Sequence, residues 1–221
     1  MNNTLIDTFT TYLQGLRYEK EPYPYPVPKP VEDKLITTIP QIDHALLMHL
    51  NLLEYRAVVA GGCALRWWRG HPVGANDVDV WFTNLVDLNL MTSYLRKSHS
   101  VVADTPNAIT FNATIDNRAY KIQLIKKLYK TIPDMLDNFD ITVCKVATDG
   151  TQWFCHDDFA VDVRDRVLRV TKMHPHIVRR VIKYWSYGYQ PDDTLLEQII
   201  AAPDVQWSFD NSSFGEEYDN A

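Results

Sequence analysis

The chain has 221 residues, 46% of them hydrophobic and 12% aromatic, enough apolar material for one enzyme-sized core. Its three cysteines, Cys63, Cys144 and Cys155, are far apart and form no Cys-x-x-Cys or Cys/His cluster, which excludes structural zinc and a disulfide scaffold and predicts reduced thiols in a cytoplasmic protein. The net charge of −6 gathers after Pro203, where Asp204, Asp210, Glu216, Glu217 and Asp219 stand without a Lys or Arg; the nearly neutral remainder excludes tight non-specific binding of long nucleic acid but admits a nucleotide or a short RNA end. In chain order, Leu5, Phe9, Tyr12, Leu13 and Leu16 keep helical spacing, and the alternate prolines from Pro22 to Pro30 impose an extended strap. A helix is expected over 41–55, a buried strand ending at Val58-Val59, and a helix starting near Ala64. Asn84 caps a further helix to about Lys97, with Leu85, Leu88 and Leu95 on its core side. Strands follow over 108–115, 120–126, 140–148 and 152–156, the last two joined as a hairpin by Thr148-Asp149-Gly150-Thr151. Helices are expected over 175–187, stopping at Gly188, and over 193–201.

Two short motifs carry the chemistry. Gly61-Gly62 lies between strand and helix, where residues without side chains let the backbone approach a ligand and the N–H groups of Gly62 and Cys63 open the helix toward an anion. Asp77-Val78-Asp79-Val80 follows; in a strand, alternate residues share a face, so both carboxylates point one way and both valines the other. Two carboxylates so placed suit Mg²⁺ or Mn²⁺, hard ions that take carboxylate and phosphate oxygens. A triphosphate held between the glycine turn and such a metal is the chemistry this pairing suggests, with Arg66 a candidate for a phosphate contact. No apolar run approaches membrane-spanning length, and Met1 to Lys20 contain no basic segment followed by an apolar one, so no membrane partner is expected.

The order Ala60-Gly61-Gly62, then Asp77-Val78-Asp79-Val80, resembles the nucleotidyltransferase superfamily typified by DNA polymerase β, with a spacer at or slightly beyond the long end of the family's usual range. Lys121-Ile122-Gln123-Leu124-Ile125, Phe139-Asp140, Arg180-Val181-Ile182-Lys183-Tyr184 and Gly188-Tyr189 are similar to a small phage and viral nucleotidyltransferase-like branch, and the likeness runs from about Val58 to Tyr189. The resemblance implies an α+β fold, a mixed sheet flanked by helices with a C-terminal helical segment. With the patterns read at the two ends, which lie outside the likeness, the chain divides into an N-terminal helix and proline-rich strap over 1–40, a catalytic core over 41–170, a helical segment over 171–203 and an acidic tail over 204–221. It also implies a third carboxylate on a later strand of the same sheet, for which Asp140 is the candidate and Asp137 and Asp116 are competitors. On this view Asp77, Asp79 and Asp140 hold two divalent ions, and an NMP passes from an NTP, with ATP among the candidates, to a hydroxyl on an RNA 3′ end such as that of tRNA, a small molecule or a protein. Lys183 and Arg180 are candidates for the leaving pyrophosphate. The competing reading is a nucleotidyltransferase-like fold without catalysis that serves as a binding module. A third is an unrelated α/β protein in which these residues are structural.

Overall fold

The computed structural model describes residues 40–72, 77–174 and 176–201. The expected N-terminal helix, the proline strap, Pro175 and the acidic tail lie outside these. The described chain forms two compact units, one of residues 40–139 and 143–160, the other of 140–142 and 161–201.

The first unit carries α1 (His44–Leu50), β1 (Ala57–Ala60), α2 (Gly62–Trp68), β2 (Asp77–Phe82), α3 (Leu85–Leu95), β3 (Ser100–Asp104), β4 (Ala108–Ile115), β5 (Arg118–Ile125), α4 (Ile132–Asp137), β6 (Val146–Thr148) and β7 (Trp153–Cys155). Its seven strands form one mixed sheet in the order β3-β4-β5-β2-β1-β6-β7. Only β2 and β5 run parallel, and the remaining neighbours are antiparallel. The fold is thus the mixed α+β class that the sequence implied.

Period-two alternation builds the core. Val78, Val80 and Phe82 of β2 share a face with Ile122 and Leu124 of β5 and Phe111 and Ala113 of β4, and all are buried against Leu46 and Leu50 of α1, Trp67 of α2 and Leu88, Met91 and Leu95 of α3. Asp43 ties this layer to the sheet: its carboxylate accepts from the Leu46 N–H at 3.2 Å and from the Tyr120 hydroxyl at 2.7 Å. On the opposite face, Trp81 packs against Phe139 and Tyr129, with ring centroids 5.2 and 6.1 Å apart.

Several elements differ from expectation. The helix expected over 41–55 ends at Leu50 because Asn51 takes a left-handed conformation, φ 49°. Leu85 is exposed rather than in the core; Leu88 and Leu95 alone of the three face inward. The strand expected over 140–148 is confined to Val146–Thr148, preceded by a 3₁₀ turn at Thr142–Cys144. The cause is tertiary: the Thr142 N–H donates to the Arg169 carbonyl at 3.0 Å and its hydroxyl donates to Asp162 at 2.5 Å, drawing the chain off the sheet. The edge strand β3 has no buried residue, so no alternation advertises it.

The second unit contains the C-terminal part of α5 (Asp157–Asp165), a small parallel pair of β8 (Val167–Leu168) and β9 (Gln190–Pro191), α6 (Ile177–Ser186) and α7 (Asp193–Ala201). Gly188, φ 94°, follows α6 as its stop, and α7 has the expected span. Residues 140–142 join it through a bridge between Ile141 and Val170 and through Asp162, a fully buried carboxylate that Arg169 pairs with through Nε, 3.0 Å from both oxygens, and through Nη2. No helix among the described residues is long and apolar enough to cross a membrane.

Candidate functional site

The two motifs meet at one end of the sheet. β1 and β2 are antiparallel, with Val58 opposite Trp81 and Val59 opposite Val80, so the end of β1 that runs into Gly61 lies beside the end of β2 that carries Asp77 and Asp79. Gly61 makes the turn with φ 72° and ψ −137°, a backbone region essentially reserved for glycine, and its N–H donates to the Val146 carbonyl at 3.1 Å. Gly62 then opens α2. Its second residue, Cys63, faces the core and reports the surrounding charge. Burial pushes the thiol well above its usual range, the negative charges of Asp79, Asp43 and Asp77 push further, and Arg66 opposes them. Helix start, both motif carboxylates and Arg66 are therefore electrostatic neighbours. Cys155, raised to about 11 by burial, is likewise no nucleophile at neutral pH.

Asp77 is exposed and Asp79 half-buried, both on the sheet face opposite the core. The neighbouring parallel strand β5 sets Lys121 beside Asp77 and Gln123 beside Asp79, and β4 sets Asn112 beside Lys121 and Thr110 beside Gln123. Lys121 Nζ lies 4.0 Å from Asp77 Oδ1. The Gln123 amide donates to the Thr110 hydroxyl at 3.5 Å. A polar floor thus runs across three strands from the Asp-x-Asp pair. Lys121 and Gln123 are the site residues that sequence reasoning did not place, since their position depends on strand register, which one chain does not reveal.

The other candidates have partners of their own. Asp140 stands on no strand; it belongs to the second unit, buried, with its carboxylate 2.7 Å from Arg180 Nε and 2.9 Å from His174 Nε2. Burial alone would raise its carboxyl, but the Arg180 charge and the His174 hydrogen bond outweigh that and hold it below the usual carboxylate range. Arg180, a candidate for pyrophosphate, is thus paired with Asp140, and Lys183 sits with its ammonium 5.8 Å from the Tyr184 ring centre on α6. Asp137 is 3.4 Å from His156 Nε2 at the end of α4, and Asp116 forms, with Asn117, the two-residue turn between β4 and β5, both at positive φ. Among the described residues, no group of three or more His, Cys, Asp or Glu side chains is arranged to hold a metal ion.

A glycine turn and an Asp-x-Asp strand thus lie on adjacent strands of a mixed sheet, and the fold is nucleotidyltransferase-like, as solved structures show. The chain is similar to a CCA-adding enzyme in complex with CTP (TM-score 0.54, 17% identity, 71% of this chain and 40% of that one). It is also similar to a tRNA-processing enzyme (TM-score 0.52, 15% identity, 72% and 47%) and to the Thermotoga maritima CCA-adding enzyme complexed with tRNA (TM-score 0.50, 18% identity, 70% and 40%). It spans less than half the length of each. The family model for Gad2, Gabija anti-defense 2 family protein, matches residues 32–166, and the chain belongs to that family. A comparison with curated proteins found no match.

Proposed function

We propose that the chain is a metal-dependent nucleotidyltransferase that moves an NMP from an NTP to a hydroxyl acceptor with release of pyrophosphate, in the service of countering the Gabija defence that its family is named for. The observation that carries this is the junction of the Gly61-Gly62 turn with Asp77 and Asp79 at one end of two paired strands. The donor set fits a hard divalent ion: two carboxylates from alternate positions of one strand, one of them open to solvent. Mg²⁺ or Mn²⁺ held there supplies charge neutralisation at the reacting phosphate. Asp77 and Asp79 bind and orient, the backbone at Gly61, Gly62 and Cys63 accepts close approach of phosphate, and Arg66 adds positive charge nearby. An RNA 3′ end is the favoured acceptor, because two of the similar solved structures are a tRNA-processing enzyme and a CCA-adding enzyme complexed with tRNA. A phage or viral origin suits an anti-defence family. Lys183 on α6 supplies a positive charge for the leaving pyrophosphate.

The second reading is a nucleotidyltransferase-like module that binds without catalysis. One observation favours it: the carboxylate nominated as third metal ligand, Asp140, is engaged by Arg180 and His174. The deciding experiment supplies each labelled NTP with Mg²⁺ or Mn²⁺ and RNA or protein acceptors, and compares wild type with Asp77→Ala and Asp79→Ala. Incorporation in wild type that falls at least a hundredfold in both variants is the expected result. Incorporation that survives both removes the site, and nucleotide binding without transfer to any acceptor selects the binding module.

A further inference from the structure

The strand that flanks the Asp-x-Asp pair on the same sheet face offers no third acid. In register with Asp77 stands Lys121, and in register with Asp79 stands Gln123; on the other side, β1 consists of alanine and valine alone. An ammonium has no lone pair to give a metal, and it repels a second cation. Gln123 donates its amide N–H toward Thr110, which leaves one neutral oxygen as its whole capacity for a cation. Lys121 Nζ is 4.0 Å from Asp77 Oδ1, and both side chains are about half exposed, 46% and 62%, so the pair opens readily to admit an ion.

We infer that Lys121 takes the β5 position from which a strand carboxylate could join Asp77, that Asp77 and Asp79 take a single divalent ion per chain, and that the Lys121 ammonium supplies positive charge to the phosphate beside that ion. This rests on the nucleotide site proposed above and departs from a two-ion arrangement. A built-in cation makes the site weak for free metal, since an arriving ion must displace Lys121 from Asp77, and stronger for a metal with a phosphate attached, because the released ammonium then pairs with the phosphate.

Mn²⁺ titration of the full chain, followed by electron paramagnetic resonance, reads stoichiometry and affinity without any turnover. Wild type is expected to bind one ion, lost in Asp77→Ala and Asp79→Ala. Lys121→Gln, which removes the charge and adds no acid, is expected to keep one ion and bind it at least threefold more tightly. Lys121→Glu is expected to tighten the first ion at least tenfold or admit a second. Circular dichroism of each variant checks the fold, and the wild-type stoichiometry stands whether or not the variants fold. Two ions in wild type, or unchanged affinity in both folded Lys121 variants, overturns the inference and leaves the Asp77–Asp79 site intact. No ion in wild type, or one that persists without Asp77 and Asp79, overturns that site as well.

Discussion

At Gly61 the space for a methyl group exists but the backbone forbids one. A Cβ there would meet Phe139 Cε2 at 3.7 Å, an ordinary contact, whereas φ 72° with ψ −137° strains any side chain. Gly61→Ala is therefore expected to destabilise the fold by about 1–3 kcal/mol through backbone strain, measured by urea unfolding. In the second unit, Asp162 is fully buried and depends on Arg169 and Thr142. Arg169→Met strands its carboxylate and should cost about 3 kcal/mol or more, whereas Asp162→Asn with Arg169→Met together should cost less than Arg169→Met alone, because the charge leaves with its partner. A double-mutant cycle in urea reads the difference.

Among the elements, α3 shows how much one end of a helix can concentrate. Asn84 accepts from the Asp87 N–H at 2.9 Å, and the Asp87 carboxylate pairs with Arg56 at 2.8 Å. The Arg56 hydrogen bond lowers the Asp87 carboxyl from its ordinary 3.8, burial opposes, and Asn84 adds to the lowering. A carboxyl lowered in the folded state lends stability that is present above about pH 4 and lost as pH falls through the folded value. Wild type should thus lose its advantage over Asp87→Asn below pH 4 in thermal melts, and Asn84→Ala should cost about 1 kcal/mol at neutral pH. The cap was legible in the sequence because a capping residue acts on the next few positions, and so was the span of β4, whose apolar positions alternate. β3 and the 3₁₀ turn at Thr142–Cys144 were not. β3 is an exposed edge strand held by pairing with β4 rather than by burial, so it carries no apolar pattern, and the turn is set by Asp162 and Arg169, distant in the chain, where local propensity favoured a strand through Asp140 that tertiary hydrogen bonds displaced.

At the level of the whole molecule, a ligand that binds the folded chain alone must stabilise it. With Mn²⁺ and an ATP analogue present at a hundred times the dissociation constant, unfolding should cost about 2.7 kcal/mol more, a gain absent in Asp77→Ala and Asp79→Ala. Thermal shift in the three proteins reads this directly. The acid pair and glycine turn of this site could be read from the sequence because each motif acts within a few residues; the neighbourhood of Lys121 and Gln123 could not, since parallel pairing of β2 with β5 is a property of the sheet. The residues after Asp140 are β-prone, yet His174 and Arg180, far along the chain, decide its environment.

The chain leaves the sheet unit at Asp140, returns at Val143 for β6 and β7, and leaves again at Val161. A stop codon or protease cut after Ala160 would strip Ile141 and Thr142 of Val170, Asp162 and Arg169, and β6 would inherit a frayed approach. The two units are thus stitched rather than strung. An exchange of the C-terminal piece alone would therefore have to supply new partners for the three residues 140–142, which the sheet unit's own stretch of chain carries.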